Sequence, residues 1–183
     1  MKNFRRSATT IAGTVLLGAA WLAAAGAAGA ATPASGQRIL SYSDLVKLAE
    51  PTEKQLEAAK RATQKYRDVN VAVAEGFVQG SPQVPGEGFH YLNPKRLDCN
   101  FDPAHPEVLL YAFLHGSTRL RLVGVEYAIP YACMPQTGRP PRGFAGTLDV
   151  WSNEEPVPFW TVEAWLYLTN PEGIFASDNP LVP

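Results

Sequence analysis

Three side chains in this sequence could form a chemical site: His90, Glu126 and Glu163. Each glutamate is the single carboxylate within an apolar run that favours a β-strand, and a buried carboxylate must be paired, metal-bound or protonated. His90 follows Gly86 and Gly88, which allow close approach of the backbone, and it offers a neutral imidazole nitrogen. Together the three residues are typical of a divalent-metal site or an acid–base site.

A purely structural interpretation stands beside this one. Each glutamate could point to water or pair with an arginine, and His90 could bond to backbone beside a disulfide-bearing loop. The arginines available for pairing are Arg119, Arg121 and Arg142. The other two histidines, His105 between prolines and His115 in a hairpin turn, are expected to be exposed.

Strict alternation along the last strand, residues 158–168, places Glu163 among aromatic residues with polar tips. Such a face is typical of a pocket lining. The predicted pocket-lining residues are Tyr91, Thr161, Trp165 and Tyr167. Alternation in the preceding strand puts Leu120, Leu122, Gly124 and Glu126 on one face, and Val123, Val125, Tyr127 and Ile129 on the other.

The helices that would support these strands lie near the start of the mature chain. Ser43 is expected to cap a short helix over residues 44–50, which Pro51 stops. Thr52 and Gln55 predict a capping box at the start of a long helix, and Gly76 is expected to end it. Apolar residues recur at intervals of three and four along this helix and predict a face that packs on a sheet.

Strand and loop signals complete the fold prediction. Residues 76–106 are rich in proline and glycine and predict long irregular loops with embedded apolar residues, the kind of loop that often carries function. Residues 108–114 and 119–129 predict a hairpin, and 147–151 a short strand. We therefore predict an α+β domain with one long helix packed on a small antiparallel sheet.

The N-terminal 31 residues have the pattern of a cleaved signal peptide: basic residues, an apolar stretch over 11–25, then small residues. A membrane anchor is the alternative, but the stretch is rich in Ala and Gly and short for a span. Export through the general secretory route is expected, or through the twin-arginine route because of Arg5-Arg6. The domain prediction is a signal at 1–31, a leader with a short helix at 32–50, and one α+β domain at 51–183.

Loss of the signal removes three basic residues and no acidic one, so the formal net charge falls from −1 to −4. A mildly acidic domain is not expected to bind nucleic acid or anionic membranes. The two cysteines, Cys99 and Cys133, are expected to form a disulfide in a secreted or periplasmic protein. A reactive thiol or a metal site is the alternative, although neither cysteine has the spacing of one.

The nucleophile elbow, the zinc-protease helix, the phosphate-binding glycine loops and the EF-hand loop are all missing from the sequence. Four segments in order, GFHYLNP (88–94), FDPAHPEVLLY (101–111), LRLVGVEYAIP (120–130) and AWLYLTNPEGIFASDNP (164–180), resemble a family of secreted bacterial proteins of unassigned function. The resemblance implies export and a coherent fold. That family tends to have His where this chain has Glu163, an exchange that preserves metal-binding or acid–base capability.

Three functional hypotheses follow. The first is a non-catalytic extracytoplasmic protein that binds a metal ion or small molecule where the Gly86–Tyr91 loop meets Glu126 and Glu163. The second is a hydrolase- or lyase-type enzyme with a glutamate as general base and His90 as its partner. The third is an envelope-associated interaction protein that presents an aromatic face to a protein or glycan. Its residues would be Trp151, Trp160, Trp165 and Tyr167.

Overall fold

The computed structural model describes residues 42–146, 148–153 and 157–183, with the side chains of 42–48 left out. All of the described residues fall in one compact unit. The predicted signal peptide at 1–31 and the leader up to residue 41 lie outside them. No helix in the described part of the chain is both long and apolar enough to cross a membrane.

Helix α1 (Tyr42–Thr63) runs through Pro51, so the prediction that Pro51 stops a short helix is wrong. Proline removes only one backbone hydrogen-bond donor from the helix. A long-range contact also holds the part of the helix that follows Pro51. The Thr52 hydroxyl donates to the Ala145 carbonyl, and Gln55 Oε1 accepts from the Ala145 amide at 2.7 Å. The two residues expected to form a capping box instead anchor the helix to the loop at Ala145.

The helical region is also divided where the sequence predicted one continuous helix. A 3-10 turn (Gln64–Arg67) follows α1, and Asp68 then adopts an extended conformation and caps helix α2 (Val69–Ala74) through a bond from the Asn70 amide. Aspartate favours such a cap because its side chain satisfies a free amide of the first turn. Gly76 follows α2 with φ +97°, the left-handed conformation expected at a helix end.

Five antiparallel strands form one sheet in the order β1 to β5. Their bounds are Val78–Gln79 (β1), Phe89–Leu92 (β2), Val108–Phe113 (β3), Leu120–Pro130 (β4) and Phe159–Ala164 (β5). The predicted hairpin agrees with β3 and β4. Strand β2 lies in the segment predicted to be irregular, because four residues suffice for a strand between glycine turns. Residues 148–151 form no strand, and beside them only an isolated bridge joins Ser152 to Thr161.

A β-bulge in the β3–β4 pair changes which side chains share a face. Leu110 pairs with Gly124 but the next residue, Tyr111, pairs with Leu122, so Val123 is the extra residue. Leu122 consequently packs with Val125, although strict alternation puts them on opposite faces. The prediction that Leu122 and Glu126 share a face is wrong for this reason.

The sheet has two differently covered faces. The helix-side face packs against Ala59, Tyr66 and Ala72 of the helical region. Its strand residues are Tyr91, Leu109, Tyr111, Leu122, Val125, Tyr127, Val162 and Ala164. The loop-side face packs against the C-terminal segment through Val182 and carries Val108, Leu110, Ala112, Val123 and Ala128, with Trp165 just beyond β5. A main helical region on an antiparallel sheet is the architecture of an α+β domain.

The predicted disulfide between Cys99 and Cys133 is present, with the two Cα atoms 5.3 Å apart. It closes a loop across a sequence separation of 34 residues and joins the segment after β2 to the segment after β4. In the chain-entropy description such a bond stabilises the fold by about 3.5–4 kcal/mol, mainly by restricting the unfolded chain.

Candidate functional site

His90, Glu126 and Glu163 all project from the loop-side face of the sheet. In β2, Phe89 and Tyr91 face the helices, so His90 and Leu92 face the other way. In β4, Glu126 lies between Val125 and Tyr127, which also face the helices. Glu126 and Glu163 are direct partners across β4 and β5. We call Glu87, His90, Glu126 and Glu163 the acid site.

The register brings the two glutamate side chains close together. Thr161, two residues before Glu163, exchanges both backbone hydrogen bonds with Ser152 on the outer edge of β5, at 2.8 and 2.9 Å. Backbone groups alternate in direction along a strand, so those of Glu163 also point to the outer edge and not toward Glu126. Glu126 and Glu163 therefore form a non-hydrogen-bonded pair, the kind in which facing side chains approach most closely.

His90 connects the buried carboxyl groups to the surface. Its Nε2 atom lies 3.1 Å from Glu87 Oε2 and 3.7 Å from Glu126 Oε2. On the other side of the ring, Nδ1 is 3.0 Å from Ser81 Oγ, and the same hydroxyl accepts from the His90 amide at 3.1 Å. Because Ser81 Oγ donates to the Pro82 carbonyl, the serine fixes the ring with Nε2 directed at the two carboxyl groups.

Burial raises the pKa of both glutamates in the pair. For Glu126 the main cause is loss of water, followed by the negative charges of Glu163 and Glu87, and its pKa lies well above the usual range. Burial also raises the pKa of Glu163 to about 8, with a further rise from Glu87 and Asp178 and a partial offset from its own backbone amide. Burial therefore favours the protonated form of both carboxyl groups.

Neither carboxyl group of the pair has a strong partner among the described residues. Glu126 is 7% exposed and Glu163 is 5% exposed. Within that part of the chain neither accepts a hydrogen bond from another residue's side chain, and neither has a Lys or Arg within ion-pair distance. The arginines that sequence reasoning offered as partners, Arg119, Arg121 and Arg142, are exposed. A buried carboxyl pair without a Lys or Arg partner is costly for the fold alone and is typical of a site that a cation completes.

Glu107 shows how the same fold satisfies a structural glutamate. It is 3% exposed, and its Oε2 accepts from the Ala128 amide at 3.0 Å. The Glu107 carboxylate thereby satisfies a β4 amide just before β3 begins. The Ala128 bond partly offsets the rise of the Glu107 pKa to about 7 that burial causes. The pair at Glu126 and Glu163 has no such role in the sheet.

Residues 81–88 and the C-terminal segment cover the acid site. The Asn179 amide donates to the Gly86 carbonyl at 2.9 Å, which joins the two segments. Gly88 has φ +86° and its backbone lies against the Tyr111 carbonyl, so any side chain there would clash. The closely approaching glycines foreseen around His90 serve to bring Glu87 over the sheet.

The four predicted pocket-lining residues divide between the two faces. Thr161 and Trp165 are buried on the side of the acid site, and the Trp165 indole donates to the Ala176 carbonyl at 2.6 Å. Tyr91 instead packs edge-on against Tyr111 on the helix-side face, at a centroid distance of 4.9 Å. The chain leaves β5 after Ala164, and the Tyr167 hydroxyl bonds to Thr63 at the end of α1. Tyr91 and Tyr167 therefore do not line the acid site, because alternation and the end of β5 turn them to the helices.

The aromatic residues proposed for a docking surface are mostly interior. Trp160 and Trp165 are 5% and 3% exposed, and their indole groups donate to carbonyls of Met134 and Ala176. Of the other histidines, His105 is exposed and lies 2.7 Å from Asp102, and His115 is exposed in its turn.

Sequence reasoning missed Glu87, Ser81 and Asp178. Glu87 lies between Gly86 and Gly88, the two glycines near His90, so its position in the sequence could have predicted that it belongs to the site. Asp178 lies 15 residues after Glu163 in the sequence, and its charge comes close to the Glu163 carboxyl only because the C-terminal segment folds back over the sheet. Across the described ranges, no three His, Cys, Asp or Glu side chains are arranged to hold a metal ion.

Comparison with protein-family models, with curated proteins and with solved structures found no match to this chain.

Proposed function

We propose that this protein is a secreted or periplasmic binding protein for a small cationic ligand, which it holds at the acid site. The observation that carries the proposal is the facing pair of Glu126 and Glu163, buried and without a Lys or Arg partner among the described residues. A cation would supply the positive charge that the two carboxyl groups lack as a partner. On binding, it would displace the protons that burial keeps on these groups.

The identity of the cation is limited by the arrangement of the acid groups. A divalent metal ion would need three or more ligands at short distances, and the described side chains are not set at those separations. An ammonium group needs only hydrogen-bond acceptors around it. The arrangement therefore favours an organic cation over a metal ion.

Binding should be coupled to the release of protons. Since burial raises the pKa of the Glu126 and Glu163 carboxyl groups, the affinity for a cation is expected to rise from pH 5 to pH 8. Titration calorimetry in two buffers of different ionisation enthalpy measures this release directly. The probes are methylammonium, zinc and manganese ions, each added to protein from an exporting host, and elemental analysis detects any metal that copurifies.

The variant that tests the site is Glu126→Gln with Glu163→Gln, which keeps the shape and removes both titrating groups. It should lose at least tenfold in affinity for any probe that binds the native protein. Glu107→Gln is the matched control, because it replaces a buried glutamate that already has a structural partner. If no probe binds, or if the double variant binds as well as the native protein, the proposal is wrong.

A second candidate is an acid–base enzyme of hydrolase or lyase type. The specific observation in its favour is the 3.7 Å distance between His90 Nε2 and Glu126 Oε2, with Glu87 on the same nitrogen at 3.1 Å. A carboxyl group of raised pKa beside an imidazole can give and take protons near neutral pH. Turnover of ester or glycoside substrates that Glu126→Gln abolishes would favour this candidate over simple binding.

A further inference from the structure

A cleft of about 640 Å³ lies along the outer edge of β5, next to the acid site but outside it. One wall comes from residues 148–153 and the other from residues 172–178. Both walls are attached to β5: Ser152 pairs with Thr161, and the Trp165 amide donates to the Ile174 carbonyl at 3.0 Å.

Glu163 lies on β5 between these two attachment points. Its backbone N–H and C=O point to the outer edge by the alternation described above, and no described loop residue bonds to either group. The two walls of the cleft therefore flank the edge of β5 at Glu163, whose side chain lies in the acid site. Asp178 lines the cleft, and its charge also contributes to the raised pKa of the Glu163 carboxyl.

The cleft wall combines apolar and negative groups. Val150 is 72% exposed and Ile174 is 38% exposed, and the Trp151 ring lies between them and the core. Glu172 and Asp178 are the titratable groups of the lining, and no Lys, Arg or His is among the lining residues. Exposed apolar side chains beside uncompensated carboxylates fit a ligand with a positive end and an apolar body.

We infer that the ligand is a small organic ammonium compound whose charged end reaches the acid site and whose apolar body lies in the cleft against Val150, Trp151 and Ile174. This inference rests on the proposed function. A hydrated metal ion gains nothing from an apolar wall, and an anion is repelled by both regions. An ammonium group donates three hydrogen bonds, which matches a site made of acceptors.

The test is a series of primary alkylammonium ions, methyl, butyl and hexyl, titrated into the full protein at pH 8. Each methylene buried in the cleft should tighten binding about fourfold. Val150→Ser should remove most of the dependence on chain length, and this exposed position tolerates the change without loss of the fold. Asp178→Asn should weaken all three ions about tenfold or less, because one carboxylate at the mouth contributes less than the buried pair.

Glu53→Gln on the exposed surface of α1 is the control and should leave every affinity unchanged. Binding of methylammonium that depends on Glu163 but shows no gain from butyl or hexyl would overturn the inference and leave the proposed function standing. Metal binding at the acid site without ammonium binding would also overturn the inference and leave the proposed function standing. If none of the ammonium or metal probes binds, both are wrong.

Discussion

The two faces of the sheet treat polar groups in opposite ways. On the helix-side face, buried tyrosines have partners: Tyr111 donates to the Tyr66 carbonyl at 2.6 Å, and Tyr127 to the Pro103 carbonyl at 2.9 Å. On the loop-side face, Glu126 and Glu163 are also buried, but neither has a Lys or Arg partner among the described residues. A satisfied polar group contributes to stability, whereas a buried acidic group without a basic partner lowers it. The helix-side face therefore contributes more to stability than the part of the loop-side face around this pair.

The largest expected effect comes from Phe144→Ala on the helix-side face. Phe144 is 4% exposed and packs against Phe101, Tyr127 and Phe175 at centroid distances of 5.0, 5.3 and 4.8 Å. Truncation should lower the free energy of unfolding by about 3–5 kcal/mol in urea titrations. Phe113→Ala, at a 39% exposed position, should cost about 1 kcal/mol or less. Equal losses in both variants would show that the helix-side cluster has no special role.

The second effect is a loss of stability as pH rises. The folded state holds protons on Glu126 and Glu163 that the unfolded chain releases near pH 4.5. As far as this pair is concerned, stability should be highest below pH 4.5 and should fall by several kcal/mol as the pH rises from 4.5 to 8. The double glutamine variant should retain only the smaller fall due to Glu107, which ends near pH 7. Urea titrations at pH 5 and pH 8 measure the difference, and a stability that increases over this range contradicts the comparison.

A smaller effect is expected when a satisfied hydroxyl is removed. Tyr111→Phe leaves the Tyr66 carbonyl without its donor and should lower the free energy of unfolding by about 1–2 kcal/mol. Tyr91→Phe is the matched control, because its hydroxyl is 3.5 Å from Gln79 and makes only a weak bond. A Tyr111 variant as stable as the Tyr91 variant would mean that polar satisfaction does not distinguish the faces.

The smallest effect is expected from Glu87→Gln. The Glu87 side chain is 28% exposed, so the free energy of unfolding at pH 5 should change by less than about 0.5 kcal/mol. Its negative charge helps raise the pKa of both Glu126 and Glu163, so in the variant the fall in stability with rising pH should be smaller and should end at a lower pH than in the native protein. The direction follows because neutral glutamine lets the folded pair ionise more easily, whereas the unfolded chain sets the start of the fall near pH 4.5. A fall as large as that of the native protein would place Glu87 outside the acid site.

Sequence reasoning found His90, Glu126 and Glu163 because an isolated charge in an apolar strand violates the local pattern, and the fold brings all three to one face. It assigned the strands around the β3–β4 hairpin well, since alternation and turn residues are local signals. It failed where the determinant was distant. Pro51 lies within α1, and Thr52 and Gln55 hold Ala145, a contact that no local pattern contains. Tyr91 was assigned to the site although alternation in β2 turns it away from its neighbour His90.

The bulge at Val123 means that the face on which Glu126 lies depends on how β4 pairs with β3, and not only on the alternation of its residues. Leu120 and Leu122 before it and Val125 and Tyr127 after it all contribute to the helix-side core, which an unbroken two-residue repeat could not achieve. Val123 itself is fully buried on the loop-side face, so position 123 requires an apolar side chain of similar size. If β4 paired with β3 without the bulge, its two halves would be out of phase, and either the leucines or Glu126 would lie on the wrong side. The bulge is therefore as necessary to the position of Glu126 as the residue types on either side of it.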